Sequence, residues 1–116
     1  MNNAINYIEL PTQDLARTKQ FFTEVFGWVF TDYGPKYSSF SSDSAGLDGG
    51  FFSAESVSAG GALVVIHHSE LETVLDTVTA AEGTSIVKPI FSFPGGRRFE
   101  FIEPGGNRLA VWSKAE

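Results

Sequence analysis

The chain has 116 residues, 42% of them apolar, which suits one compact domain with a buried core. Fourteen acidic residues against 8 basic ones leave a net charge of −6, which argues against nucleic-acid binding and against docking on anionic lipid. The absence of Cys excludes a disulfide framework, a zinc finger, an iron–sulfur cluster and a thiol nucleophile. The longest small and apolar run, Ala59 to Ile66, is too short to span a membrane. The first residues, Met1 to Asn6, lack the basic start and apolar core of a signal peptide. The expectation is a cytoplasmic domain that meets a small molecule or another protein.

Asn6–Leu10 reads as a short strand. After Pro11 a helix is expected from Thr12 or Gln13, with Leu15, Phe22, Val25 and Phe26 as its apolar stripe and Gly27 as its stop. Trp28–Tyr33, Lys36–Ser42 and Gly50–Glu55 follow as strand candidates, with a turn at Gly34-Pro35. The Ser-, Asp- and Gly-rich stretch from Ser38 to Gly50 is expected to include a loop. The short segment Ser56–Gly60 leads to a strand over Gly61–His67. Ser69-Glu70-Leu71-Glu72 has the form of a capping box, in which the Ser oxygen accepts from the amide three residues on and Glu72 reaches back. Leu71, Val74, Leu75, Val78 and Ala81 form the second stripe, and Gly83 is expected to end that helix. The last strands are Thr84–Phe91, Arg97–Glu103 and Arg108–Ser113, separated by Pro94-Gly95-Gly96 and Pro104-Gly105-Gly106-Asn107.

The two series have one grammar. A constant offset carries Leu15 onto Leu71, Thr23 onto Thr79, Gly27 onto Gly83, Gly49-Gly50 onto Gly105-Gly106 and Ala54 onto Ala110. Each half therefore reads as β-α-β-β-β: a first module over about 4–56 and a second over about 60–114, within a single domain over 1–116. The class is α+β: two tandem βαβββ modules whose mixed sheets curve into a trough, with the helices on the outer face. Strand side chains alternate, so one face of each sheet packs under its helix and the other lines the trough. Ile8, Leu10, Val64, Ile66, Phe99, Phe101, Leu109 and Val111 are assigned to the helix side. Tyr7, Glu9, Leu63, Val65, His67, Arg98, Glu100, Ile102, Ala110 and Trp112 are assigned to the trough.

Tyr7-Ile-Glu-Leu-Pro-Thr-Gln-Asp14-Leu15, Phe21-Phe22-Thr-Glu-Val-Phe-Gly27-Trp28 and Phe101-Ile-Glu-Pro-Gly-Gly-Asn107-Arg108 resemble the vicinal oxygen chelate superfamily. That superfamily includes glyoxalase I, the bleomycin-resistance proteins and extradiol dioxygenases. Glu103 stands where its turn carries Asp. The resemblance covers nearly the whole chain. It is specific for the fold and weak for the reaction, since one fold carries many chemistries.

Metal-dependent relatives hold a divalent ion with a His seven residues before the Asp that opens each helix and with a carboxylate from the last strand of each half. The resemblance maps these positions onto Tyr7 and Leu63, and onto Ala54 and Ala110. Leucine and alanine have no side-chain donor, so no metal ligand and no cofactor is expected. His67 with Glu9 and Glu100 is the one imaginable replacement set. His67 and His68, adjacent on a strand, point to opposite faces and cannot share an ion. No G-x-S-x-G elbow, phosphate loop or H-E-x-x-H motif occurs. No catalytic residue is identified, and metal-dependent glyoxalase I-type activity is not expected.

The positive signal is aromatic: 11 Phe, 3 Tyr and 2 Trp. Phe22, Phe26, Phe30, Phe99 and Phe101 suffice for the core. Tyr7, Trp28, Tyr37, Phe40, Phe51 and Trp112 are then left over. Rings lining a trough suit a flat or apolar ligand, and the negative charge favours a cationic one. The candidate ligand-binding set is Tyr7, Glu9, Phe40, Phe51, Val65, His67, Arg98, Glu100 and Trp112. The expected activity is binding of a small aromatic or cationic molecule by a homodimer, as in the bleomycin-resistance branch. Two alternatives are a divalent-metal-dependent lyase, isomerase or dioxygenase with displaced ligands, and a non-catalytic regulatory or interaction module.

Overall fold

In the computed structural model, which describes residues 2–58 and 60–115, the chain forms two compact units, Met1–Val57 and Ser58–Glu116. The Ser56–Gly60 junction thus includes one residue, Ala59, outside those described.

The first unit runs β1 (Tyr7–Thr12), α1 (Leu15–Phe26), β2 (Phe30–Asp32), β3 (Tyr37–Phe40), a single turn α2 (Ser42–Ala45) and β4 (Asp48–Ser53). Its four-stranded sheet has the order β1-β4-β3-β2, with β1 parallel to β4 and the other pairs antiparallel. The second unit repeats this with β5 (Val64–His67), α3 (Leu71–Ala80), β6 (Ser85–Phe93), β7 (Gly96–Ile102) and β8 (Arg108–Lys114), in the order β5-β8-β7-β6. Both β-α-β-β-β series read from the sequence are present, and the class is α+β.

Helix starts are where the sequence reading and the structure part. β1 continues through Pro11 to Thr12, and α1 opens only at Leu15. Asp14 caps it, its carboxylate accepting from Arg17 N–H at 3.1 Å. Thr12, expected at the helix start, closes the strand instead: its Oγ1 accepts from Asp14 N–H and lies 2.8 Å from Thr18 Oγ1 in a buried pair. The capping box does not form. α3 starts at Leu71 with no side-chain cap. Arg97 of β7 takes Glu72 in a forked pair, at 2.5 and 3.1 Å, while Glu70 N–H donates to His68 Nδ1 at 2.9 Å. A two-pronged guanidinium is a stronger partner for a carboxylate than one amide. Gly27 ends α1 as expected, at φ 73°. α3 ends at Ala80, so Gly83 lies in the following turn at φ 85°.

Each core lies between a helix and one sheet face. In the first unit Phe22 stacks on Trp28 with centroids 4.6 Å apart and on Phe51 at 5.3 Å, and Trp28 meets Phe40 at 4.7 Å. In the second, Leu71, Val74 and Val78 of α3 are buried with Phe99, Phe101, Leu109 and Val111 of the sheet. Sheet edges differ in regularity. β2 is three residues long, whereas β6 is nine long and breaks register twice along β7, on either side of Lys88.

Candidate functional site

Strand register decides which side chains share a face. In the first unit Leu10 pairs with Phe51, and Ile8 with Gly49, which in turn pairs with Phe40. Phe40 and Phe51 therefore face α1 with Ile8 and Leu10. Both are buried; Phe51 leaves the candidate ligand-binding set, as does Trp28 from the surplus rings, while Phe40 keeps an edge on the cavity described below. The reason is complementary size: Gly49 has no side chain, and a Cβ there would lie 2.5 Å from the Phe40 ring, which fills the space instead.

The other face of that sheet carries Tyr7 and Glu9 as expected, with Asp48 and Gly50 paired to them across β4. Tyr37 of β3 lies over Gly50; a Cβ on Gly50 would stand 2.5 Å from its Cζ. This brings the Tyr37 hydroxyl between two partners. It donates to Glu9 Oε2 at 2.9 Å and lies 2.5 Å from Tyr7 Oη. Desolvation, helped by the bonds to Tyr7 and Glu9, holds the Tyr37 phenol well above its ordinary value. Beside this chain is a cavity of about 380 Å³ whose border includes Tyr7, Tyr33, Ser39, Phe40 and Asp48. The sequence marks Tyr37 as a surplus ring but not as a site residue, because only the order β1-β4-β3 places it over Gly50.

In the second unit Val65 and Glu100 both pair with Ala110, while His67 and Arg98 both pair with Trp112. These five candidates share the face away from α3, as expected. His67 meets the Trp112 ring edge-on at 5.1 Å. Glu100 is buried and held from two sides. Arg108 contacts Oε1 through Nε at 3.0 Å and Nη2 at 2.6 Å, and Arg98 contacts Oε2 at 3.0 Å. Burial pushes the Glu100 carboxyl up, but Arg108, then Lys88 and Arg98, outweigh it and hold it below the usual range. Arg98 also lies over Phe91 and Phe93, at 5.3 and 5.7 Å from the ring centroids. Glu100 is thus committed to two arginines and is a poor acid–base group.

Register also corrects the match between halves. Val65 is the repeat counterpart of Glu9, and their partners are Ala110 and Gly50. Gly50, not Ala54, therefore corresponds to Ala110. Ala54 lies beyond β4, and its N–H donates to Thr12 O. Tyr7, Leu63, Gly50 and Ala110 then occupy the positions at which the resemblance expects metal ligands, and three of them have no side-chain donor. Among the described residues no three His, Asp or Glu side chains cluster to hold an ion. The residues present do not fit a divalent metal at these positions.

Residues 4–111 match the model of the Glyoxalase/Bleomycin resistance protein/Dioxygenase superfamily. No curated protein matches the chain. Among solved structures, a glyoxalase/bleomycin resistance protein/dioxygenase family enzyme from Burkholderia phytofirmans is similar at TM-score 0.80 and 15% identity, over 95% of this chain and 98% of that one. The fosfomycin resistance protein FosX from Listeria monocytogenes, complexed with Mn(II) and sulfate, matches at 0.82 and 18%, over 99% and 93%. TioX from a Micromonospora species matches at 0.70 and 19%, over 97% and 100%.

Proposed function

The chain belongs to the Glyoxalase/Bleomycin resistance protein/Dioxygenase superfamily, and from that premise we propose that it binds a small aromatic or cationic molecule without a divalent metal. The observation that carries this reading is the hydroxyl chain from Tyr7 through Tyr37 to Glu9, built where a metal-dependent relative would begin its ligand set. The chain supplies polar recognition, and the rings around it supply area for stacking. In the second unit the face bearing Val65, His67, Arg98 and Trp112 offers a further aromatic surface. The Mn(II) of the Listeria protein is not carried over, because Leu63, Gly50 and Ala110 have nothing to offer it.

Thermal-shift screening against cationic and aromatic compounds tests the reading, since a ligand selective for the folded state raises its melting temperature. A hit is expected to be lost in Tyr7→Ala and weakened in Trp112→Ala, with each variant's own melting temperature shifted less than its ligand response. EDTA is expected to leave the melting temperature unchanged. No hit across the panel, or a fall in stability on chelation, would overturn the proposal.

The same reading has a cytoplasmic homodimer as the working form. Exposed Val29, Tyr33, Phe52 and Val65 are suited to burial against a second chain. Sedimentation at two protein concentrations distinguishes the dimer from a monomer. Among the described residues no helix is long and apolar enough to cross a membrane.

A further inference from the structure

We propose that the cavity beside Tyr7 takes an organic cation that carries N–H donors, a primary or secondary ammonium, rather than a quaternary ammonium or an anion. The inference rests on the proposed function and narrows its ligand class. A phenol has one hydrogen to give. Tyr37 gives its hydrogen to Glu9 Oε2. The 2.5 Å contact between the two phenol oxygens needs a hydrogen between them, and Tyr7 holds the remaining one. Tyr7 therefore donates to Tyr37, and a ligand that reaches its oxygen from the cavity meets lone pairs alone. A terminus of this kind accepts a donor and turns away a second acceptor.

The rest of the cavity agrees. Asp48, opposite Tyr7 on β4, contributes a carboxylate; its Oδ1 also accepts from Ser42 N–H at 2.7 Å. The rings of Tyr7 and Tyr33 border the space and can hold a cation over their faces. No Lys or Arg is among the described residues that line it. A volume of about 380 Å³ accommodates a small one-ring amine.

Calorimetric titration with 2-phenylethylammonium, its N,N,N-trimethyl analogue and phenylacetate tests the inference. The primary ammonium is expected to bind at least about tenfold tighter than the trimethylated cation, the scale of one charge-assisted hydrogen bond. Tyr7→Phe is expected to erase that preference by weakening the ammonium alone, with Tyr7→Phe unfolding as cooperatively as the parent. Asp48→Asn is expected to weaken both cations. Equal affinity for the two cations, a preference that survives Tyr7→Phe, or tighter binding of phenylacetate would each overturn the inference. If these three fail while a neutral aromatic compound binds, the inference falls and the proposed function stands. If nothing in the wider panel binds, both fall.

Discussion

Gly50 is the smallest residue of the candidate site and the one its geometry tolerates least change in. A methyl group there would collide with the Tyr37 ring and hydroxyl and approach Ser38 O at 3.0 Å. Gly50→Ala is expected to displace Tyr37, break the link between Tyr7 and Glu9, and cost about 1–3 kcal/mol of stability. Denaturant unfolding with ligand titration reads both effects, and a variant that keeps full affinity would show that Tyr37 can stand elsewhere. Tyr37 also gives the fold an alkaline limit. Its phenol is held neutral in the folded protein beyond the ordinary value of 10.0. Its stabilising contribution is complete below that value and is lost as pH rises above it, because the unfolded chain then ionises first. Stability is expected to fall above about pH 10, and Tyr37→Phe to flatten that fall; a phenolate absorbance titration with every tyrosine ionising together would contradict it. Alternation alone puts Tyr7, Glu9, His67, Arg98 and Trp112 on the faces that the strand register gives them. It does not place Phe40 and Phe51, because alternation assigns faces only relative to a strand whose parity is known, and no apolar–polar rhythm marks β3 or β4.

The turn between β7 and β8 shows how an element end is held by one side chain. Glu103 is buried and accepts from Gly105 N–H at 2.7 Å, Asn107 N–H at 3.1 Å and Asn107 Nδ2 at 2.8 Å. It does the work of the Asp in the family pattern with one more methylene. Glu103→Ala strands three donors in a buried turn and is expected to cost more than about 2 kcal/mol. Glu103→Asp is expected to recover most of that loss; thermal unfolding of the two variants compares them, and equal losses would mean that packing rather than hydrogen bonding sets the cost. By contrast, the Glu72–Arg97 pair joining α3 to β7 is exposed on both sides, and such pairs contribute little. That pair explains why the capping box misled. Its motif is local, while the competing guanidinium arrives from a strand distant in sequence. The strands and both long helices are legible from signals that are local too, periodicity for most and flanking turn residues for β3 and β4; strand ends and caps are not.

At the scale of the whole chain, the duplicated grammar identified the fold, and a single constant offset misaligned its last strand. The offset holds from β1 to β5 but slips by β8, because β6 and β7 are longer than β2 and β3. The central parallel pairs, β1 with β4 and β5 with β8, keep the same partnership in both units. The outer hairpins absorb the difference. The irregular border of β6 has a protective consequence. A long outer strand with free main-chain groups invites another molecule to extend the sheet. Lys88 puts a charge on that border, Pro89 withholds an amide, and the broken register bends the ladder out of line. Replacing both residues by Thr should leave the chain folded while letting concentrated solutions grow fibrils that bind amyloid dyes. Stretches of the chain that add nothing to ligand chemistry thus keep it dispersed at high concentration.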